Sequence, residues 1–155
     1  MKNISWQEKP IFIASDHGGY ALKKRLIRYL ENELNLKPED LGPYEYIETD
    51  DYPDFVLPLT KKVISNNGRG ILICRSGIGV CITANKVKGI RAGIGYNINV
   101  SKSMRNDNDT NILCLAADNL SEDFAMVITK NWLTTDFSNH PRFIRRLKKI
   151  EEIEK

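Results

Sequence analysis

The sequence has few cysteines and no long apolar run, and these two absences exclude several classes of protein. Its three cysteines are an odd number without the paired spacing of zinc ligands, so neither a disulfide framework nor a zinc site is indicated. No segment is long and apolar enough to cross a bilayer, and the amino terminus lacks the apolar core of a signal peptide. We therefore expect a cytoplasmic protein with reduced thiols and no membrane partner.

Internal repeats, low-complexity tracts and a strong charge bias are also missing. The formal net charge is only +3, and the basic residues are scattered except near the carboxyl terminus. Composition therefore gives no reason to expect nucleic acid or an anionic membrane surface as a partner. With 155 residues, of which 41% are hydrophobic, we expect a single domain over 1–155 with its own core.

Apolar runs alternate about five times with segments of helical periodicity. The segments that we predict as strands lie at 10–15, 35–43, 70–74, 89–95 and 111–116. Residues 20–34 carry apolar side chains at helical spacing, and a last amphipathic helix is predicted at about 141–155. The alternation predicts an α/β fold, a three-layer αβα sandwich with a five-stranded, mostly parallel sheet.

Chemically active side chains follow two of the predicted strands. Asp16 and His17 come directly after the first strand, Cys74 ends the third, and Ser76 follows two residues later. Because the carboxyl ends of parallel strands meet at one edge of a sheet, we expect these residues to lie close together, where they can move protons. The simpler alternatives are a cysteine that only fills the core and a histidine that only caps a helix.

Two glycines, Gly77 and Gly79, shape the turn between Cys74 and the next predicted helix. A glycine-rich turn that enters a helix offers unpaired backbone amides to an oxyanion or a phosphate, although the same glycines can simply shape a tight turn. The dinucleotide fingerprint is not matched, because Ile82 stands where its third glycine belongs. No Walker lysine pattern occurs either.

The last predicted helix begins with basic residues, an arrangement that opposes the helix dipole. Arg142 and Arg146 lie one turn apart and can together bind an anion, although a solvated basic face is the usual explanation for such a cluster. No aromatic residues alternate with these charges in the manner of a single-strand nucleic-acid platform. The pattern therefore favours a small anionic ligand over nucleic acid.

Several motifs, taken in order along the chain, resemble the type B ribose-5-phosphate isomerases and the related galactose-6-phosphate isomerase subunits. These motifs lie at 16–23, 51–54, 74–86, 89–92 and 108–111. The resemblance extends over about 10–150 and implies a Rossmann-like sandwich and an aldose–ketose isomerase of sugar phosphates that needs neither metal nor cofactor. It also implies a homodimer, or a tetramer built from dimers, with active sites shared between subunits.

The resemblance further implies the chemistry of the site. It assigns to Cys74 the removal of the C2 proton of the open-chain aldose, which yields an enediolate, and to Ser76 and the amides of Gly77 to Gly79 the stabilisation of the negative oxygen. The implied reaction interconverts D-ribose 5-phosphate and D-ribulose 5-phosphate in the pentose phosphate pathway. The residues assigned to substrate binding are Asp16, His17, Tyr52, Gly77, Gly79 and Asn108, and those assigned to the phosphate are Arg142 and Arg146.

The sequence departs from the family pattern at two positions. Asp107 stands where the family has a histidine that helps to open the furanose ring, so Asp107 becomes the candidate catalytic residue for that step, with His140 as a substitute. Asp118 stands where the family has an arginine that contacts the phosphate. These departures leave two alternatives open: an isomerase of another aldose phosphate, such as allose or galactose 6-phosphate, and a catalytically weak sugar-phosphate-binding protein.

Overall fold

A computed structural model describes residues 6–154 of the chain and shows one five-stranded sheet. The strands are β1 (Ile11–Ser15), β2 (Glu39–Asp40), β3 (Arg69–Cys74), β4 (Ala92–Ile94) and β5 (Ile112–Ala116). They follow the order β2-β1-β3-β5-β4, and every neighbouring pair is parallel. The prediction of a mostly parallel, five-stranded α/β fold is confirmed, and the sheet is parallel throughout.

Six α-helices surround the sheet. They are α1 (Tyr20–Leu34), α2 (Pro53–Ser65), α3 (Ile78–Ala84), α4 (Ile98–Asn106), α5 (Glu122–Thr134) and α6 (Pro141–Ile153). Helix α1 has the predicted bounds because Asn35, at φ 54°, adopts the left-handed conformation that ends a helix. Apolar spacing from Phe55 to Ile64 predicts a helix after a turn at 49–54, but α2 begins within that turn, since Pro53 occupies a first-turn position that needs no amide donor. No helix within 6–154 has both the length and the apolarity of a membrane span.

The core consists of two apolar layers, one on each face of the sheet. On the central strand β3, Ile71 and Ile73 pack in the layer that contains residues of α1 and α5, whereas Leu72 and Cys74 pack in the layer that contains residues of α2 and α3. Successive side chains of a strand point to opposite faces, so both faces of β3 are covered. Each fully buried leucine or isoleucine contributes about 1.5–3 kcal/mol to stability, which makes the sheet a rigid base for its loops.

The parallel arrangement gives the sheet two chemically different edges. Cys74 pairs with Ala116 and Ser15 pairs with Ile73, so the loops that follow β1, β3 and β5 emerge together at what we call the carboxyl edge. The segments that precede the strands, among them 67–68, 89–91 and 107–111, lie at the opposite amino edge. This division decides which of the predicted site residues meet within one chain.

Candidate active site

The loop after β1 lies directly against the end of β3. Its backbone N–H at Asp16 donates to the carbonyl of Ile73 at 3.2 Å. A Cβ atom added to Gly19 would lie 2.5 Å from the Ile73 carbonyl oxygen, and one added to Gly18 would overlap the Arg75 side chain. Only glycines allow this approach, which brings Asp16 and His17 beside the loop that carries Cys74.

Asp16 is almost fully buried, with 6% of its surface exposed. Its Oδ1 atom accepts the N–H of Gly19 at 3.1 Å and caps the single helical turn at residues 17–19. Burial raises the pKa of the Asp16 carboxyl group, and the neighbouring Asp50 carboxylate raises it further. The site therefore holds one carboxyl group whose ionised form is destabilised, a common property of functional sites.

Asp50, which the sequence analysis did not single out, holds His17 in position. One carboxylate oxygen of Asp50 accepts the backbone N–H of His17 at 2.9 Å and lies 2.7 Å from its Nδ1 atom. Because a carboxylate only accepts hydrogen bonds, Nδ1 carries the proton and Nε2 is left for a ligand. The acidic segment before α2 was the only signal for Asp50, and no spacing rule connects it with a histidine 33 positions earlier.

Asp16, His17 and Asp50 also form a group that resembles part of a metal site. One potential ligand atom from each lies within 4.8 Å of the others. However, the Nδ1 atom of His17 already bonds Asp50, and the Oδ1 atom of Asp16 already accepts the N–H of Gly19. We interpret the group as a hydrogen-bonded cluster that orients His17 toward a ligand.

Cys74 ends β3, and the loop that follows closes over its sulfur atom. The Gly77 N–H donates to Cys74 Sγ at 3.1 Å, and the Ile78 N–H donates to Ser76 Oγ at 3.2 Å. Gly77 adopts φ 72°, in the left-handed region that favours glycine, and its hypothetical Cβ would lie 3.1 Å from the Leu115 backbone. The hydrogen bond from the Gly77 N–H holds the Cys74 sulfur atom against the backbone of the loop at the end of β3.

Tyr52 covers the start of α3. A Cβ atom added to Gly79 would lie 2.6 Å from Cζ of the Tyr52 ring, so the ring rests on the glycine backbone. The backbone of Tyr52 also begins α2, where its carbonyl accepts the N–H groups of Phe55 and Val56. The tyrosine is thus fixed at the carboxyl edge beside the loop that follows Cys74.

Arg75 is a second residue that the sequence analysis missed, and it lies beside one of the family departures. The Asp118 N–H donates to the Arg75 carbonyl at 3.0 Å, and the Arg75 Nη1 atom lies 3.5 Å from Asp118 Oδ2. Both side chains are more than half exposed, and Arg75 also packs against Gly18. The guanidinium group of Arg75 therefore lies at the carboxyl edge, although the neighbouring position 118 carries an acidic side chain.

Asp107 and Asn108 lie at the amino edge, away from Cys74. Asp107 follows the last residue of α4 and accepts a hydrogen bond from the Asn106 side chain at 2.6 Å. Asn108 is exposed and lines an apolar groove together with Leu147 of α6. Within 6–154, neither residue contacts the loop that carries Cys74.

The arginines of α6 are on the same side of the molecule as Asn108. The Ser138 N–H donates to the Asn106 carbonyl at 3.1 Å, which holds the start of α6 close to the end of α4. The guanidinium groups of Arg142 and Arg146 lie 4.9 and 6.0 Å from the centre of the Phe143 ring, and His140 caps the helix. Among the described residues, no contact joins these arginines to the carboxyl edge.

The chain belongs to the Ribose/Galactose Isomerase family, whose model matches residues 11–150. A Bacillus subtilis relative, YwlF, is 41% identical over 145 residues, which cover 93% of this chain and 96% of the relative. The family resemblance inferred from the motifs is therefore confirmed.

Solved structures of similar proteins agree with this assignment. The crystal structure of ribose-5-phosphate isomerase B from Mycoplasma genitalium with bound ribulose-5-phosphate matches with a TM-score of 0.91 and 37% identity, covering 96% of this chain and 97% of that one. Ribose-5-phosphate isomerase B from Clostridium thermocellum matches with a TM-score of 0.89 and 40% identity, covering 94% and 97% of the two chains.

Proposed function

We propose that this protein is an aldose–ketose isomerase that interconverts D-ribose 5-phosphate and D-ribulose 5-phosphate. The observation that carries the proposal is the position of Cys74, a thiol beneath a glycine-rich loop and beside the Asp16–His17 loop. The likeness to the Mycoplasma genitalium enzyme, whose structure holds ribulose-5-phosphate, supports the choice of substrate.

The reaction can be written with the groups at the carboxyl edge. The Cys74 thiolate removes the C2 proton of the open-chain aldose, and the electron pair of that C–H bond forms the C1–C2 double bond of an enediolate. Donors of the loop at Ser76 to Gly79 stabilise the negative oxygen while it forms. Return of the proton to C1, with transfer of the O2 hydroxyl proton to O1, makes C2 the carbonyl carbon and produces the ketose. Because the hydrogen lost from C2 is regained at C1, the sugar undergoes no net oxidation and the step requires no redox cofactor.

A second copy of the chain completes the site in this proposal. Asp107, Asn108, Arg142 and Arg146 lie at the amino edge, too far around the sheet to serve the Cys74 of their own chain, so we assign them to the site of a partner in a homodimer. An apolar surface supports such a partner: Ile78 and Ile82, one turn apart on α3, expose 52% and 58% of their surfaces. Free thiols at all three cysteines suit the reducing cytoplasm, where a thiol base stays active.

Asp107 is the reason to test more than one substrate. We assign to Asp107 the proton transfer that opens the furanose ring. A histidine side chain is better suited to this proton transfer near neutral pH. The matched family covers isomerases of both ribose and galactose, so an aldose 6-phosphate is the second candidate substrate.

A direct assay separates the candidate functions. We expect the highest kcat/KM with D-ribose 5-phosphate when it is compared with D-allose 6-phosphate and D-galactose 6-phosphate in coupled assays. A higher kcat/KM with either hexose phosphate would replace the proposed substrate. Binding of all three sugars without turnover of any would instead identify a sugar-phosphate-binding protein.

Asp16→Asn should raise KM, because Asp16 is assigned to substrate binding, but leave the protein at least as stable as the wild type at pH 7. The pKa of Asp16 is higher in the folded state than in the unfolded state, so between these two pKa values the folded state binds more protons. The free energy of unfolding of the wild type therefore falls as the pH increases through this range. Asparagine has no ionised form, so its burial does not lower the stability of the protein as the pH increases. For a chain of this size, each 1 kcal/mol gained raises Tm by roughly 2–4 °C.

Thermal melts at a series of pH values test this prediction. The stability advantage of Asp16→Asn should disappear as the pH falls below about 4, where the wild-type carboxyl group is neutral in both states. Glu45→Gln, at an exposed carboxylate, is the control and should show no such trend. A Tm difference that stays constant from pH 4 to pH 7 would contradict an electrostatic origin.

Arg75→Met should raise KM by about tenfold with little change in kcat, because a charged hydrogen bond to the substrate phosphate contributes about 1.5–3 kcal/mol throughout the reaction. Asp118→Asn should act in the opposite direction and lower KM, since it releases Arg75 from its acidic neighbour. Steady-state kinetics measure both effects, with Arg28→Met as the control at an exposed arginine of α1. An unchanged KM in both site variants would exclude Arg75 from phosphate binding.

A further inference from the structure

A cavity of about 230 Å³ opens at the amino edge, where β3, β4 and β5 begin. We call it the amino-edge cavity. Of the charged residues within 6–154 that line it, four are cationic and one is acidic: Lys9, Arg69, Arg91, Arg105 and Asp109. It lies at the opposite edge of the sheet from Cys74, and none of these side chains has a part in the proposed isomerisation.

The single carboxylate is shared between two of the cations. Asp109 Oδ2 lies 3.0 Å from Arg91 Nη2, and Asp109 Oδ1 lies 2.9 Å from Arg105 Nη1. Arg91 is held further by a bond from its Nε atom to the Asp109 carbonyl at 2.9 Å. This triad already carries one excess positive charge before the other two cations are considered.

Arg69 is buried and forms no ion pair with the residues described in 6–154. Only 3% of its surface is exposed, its Nη1 atom donates to the Leu133 carbonyl, and its guanidinium group lies 5.6 Å from the centre of the Trp132 ring. Its Nε atom has no hydrogen-bond partner in the part of the chain that the structure describes. A buried arginine with an unpaired donor is costly, and this donor belongs to a side chain that lines the cavity.

The cations of the cavity also repel one another. Burial and the nearby Arg105 lower the pKa of Arg69 to about 10. Burial and Arg69 likewise lower the pKa of Lys9. Among the described residues, neither Arg69 nor Lys9 has a carboxylate oxygen within 4.0 Å. An anion in the cavity would relieve this repulsion.

We propose that the amino-edge cavity binds a phosphate dianion, either inorganic phosphate or the phosphate group of a phosphomonoester. Four cations line the cavity against Asp109, and Asp136 also acts on Arg69 and Arg105, so a formal excess of two positive charges remains, which a dianion neutralises better than a monocarboxylate does. Guanidinium groups present planar pairs of N–H donors that match phosphate oxygens. The site is additional to the catalytic one and does not depend on the proposed reaction.

The test uses a variant in which the proposed catalytic phosphate contacts are absent. The full chain with Arg75→Met, Arg142→Ala and Arg146→Ala is titrated with inorganic phosphate or glycerol 3-phosphate at constant ionic strength, and Tm and calorimetric Kd are measured. We expect saturable stabilisation by phosphate. Adding Arg69→Met should weaken phosphate binding at least about tenfold, whereas adding Arg28→Met should leave it unchanged.

Two further measurements keep the proposal falsifiable. Lys9→Met, at a half-buried cation of the same cavity, should also weaken phosphate binding and provides the test if Arg69→Met does not fold.

Similar Kd values for phosphate and glycerol 3-phosphate would show that the phosphate group alone is recognised, and tighter binding of glycerol 3-phosphate would indicate a phosphorylated metabolite. Equal stabilisation by sodium chloride, or phosphate binding unchanged in both cavity variants, would overturn the proposal. Isomerase activity is assayed separately. A protein without isomerase activity could therefore still bind phosphate in the amino-edge cavity, and the two proposals are tested independently.

Discussion

Cys74→Ala should abolish isomerisation, lowering kcat by at least about 10³-fold while the Kd for ribose 5-phosphate changes by less than about threefold. The thiol is the only group that the proposed mechanism assigns to C2 proton removal. It lies at the end of β3, where its sulfur atom accepts the N–H of Gly77 at 3.1 Å. The loss of deuterium exchange at C2 in heavy water, followed by nuclear magnetic resonance, measures the proton-transfer step directly.

Cys114→Ala is the matched control for this variant. Cys114 is a fully buried thiol on β5, and burial raises its pKa well above the ordinary value, so it cannot act as a base at neutral pH. Its replacement should lower Tm but preserve exchange at C2. If Cys74→Ala retained exchange at a rate close to that of the wild type, another base would have to be found.

Mixing two impaired variants should restore activity at substrate concentrations below the raised KM, and this is the strongest test of the proposed shared site. Arg142→Ala combined with Arg146→Ala should raise KM by about 10²-fold, because two charged contacts to phosphate are lost. In a dimer that this variant forms with Cys74→Ala, one site has Cys74 from one chain and both arginines from the other. After complete subunit exchange, roughly one quarter of all sites should be intact.

A second mixture controls for nonspecific recovery. Cys74→Ala and Asp16→Asn both damage the carboxyl-edge half of the site, so no dimer of these two chains contains an intact site. Native mass spectrometry of differently labelled chains confirms that exchange has occurred. Demonstrated exchange without recovery in the first mixture would show that the arginines do not act across an interface.

Local sequence patterns predicted most of the fold because they reflect local physics. The alternation of buried side chains on β3 follows from the two-residue repeat of a strand that is covered on both faces. The bounds of α1 follow from its apolar spacing and from the asparagine that ends it. The weakest prediction was the edge strand at 35–43, of which only Glu39–Asp40 forms β2, because proline and polar residues limit its pairing.

The candidate site was predicted only in part, because some of its contacts join distant segments. The motifs pointed to Asp16, His17 and Cys74, each of which follows or ends an apolar strand. The motifs did not point to Asp50 or Arg75. Asp50 bonds His17 and Arg75 pairs with Asp118, and no local sequence pattern predicts contacts between such distant segments. The cationic amino-edge cavity was missed for the same reason, because its lining comes from segments that meet only in the folded sheet.

The sequence by itself determined the class of fold, the thiol at the end of the central strand and the family, because these depend on side-chain periodicity and on residues close together in the chain. Only the tertiary structure decided how the site residues are divided. A parallel sheet sends the ends of its strands to one edge and their beginnings to the other, so Cys74 and Asn108 are separated within one chain. That geometric constraint is the physical reason to look for the remaining half of the site on a second copy.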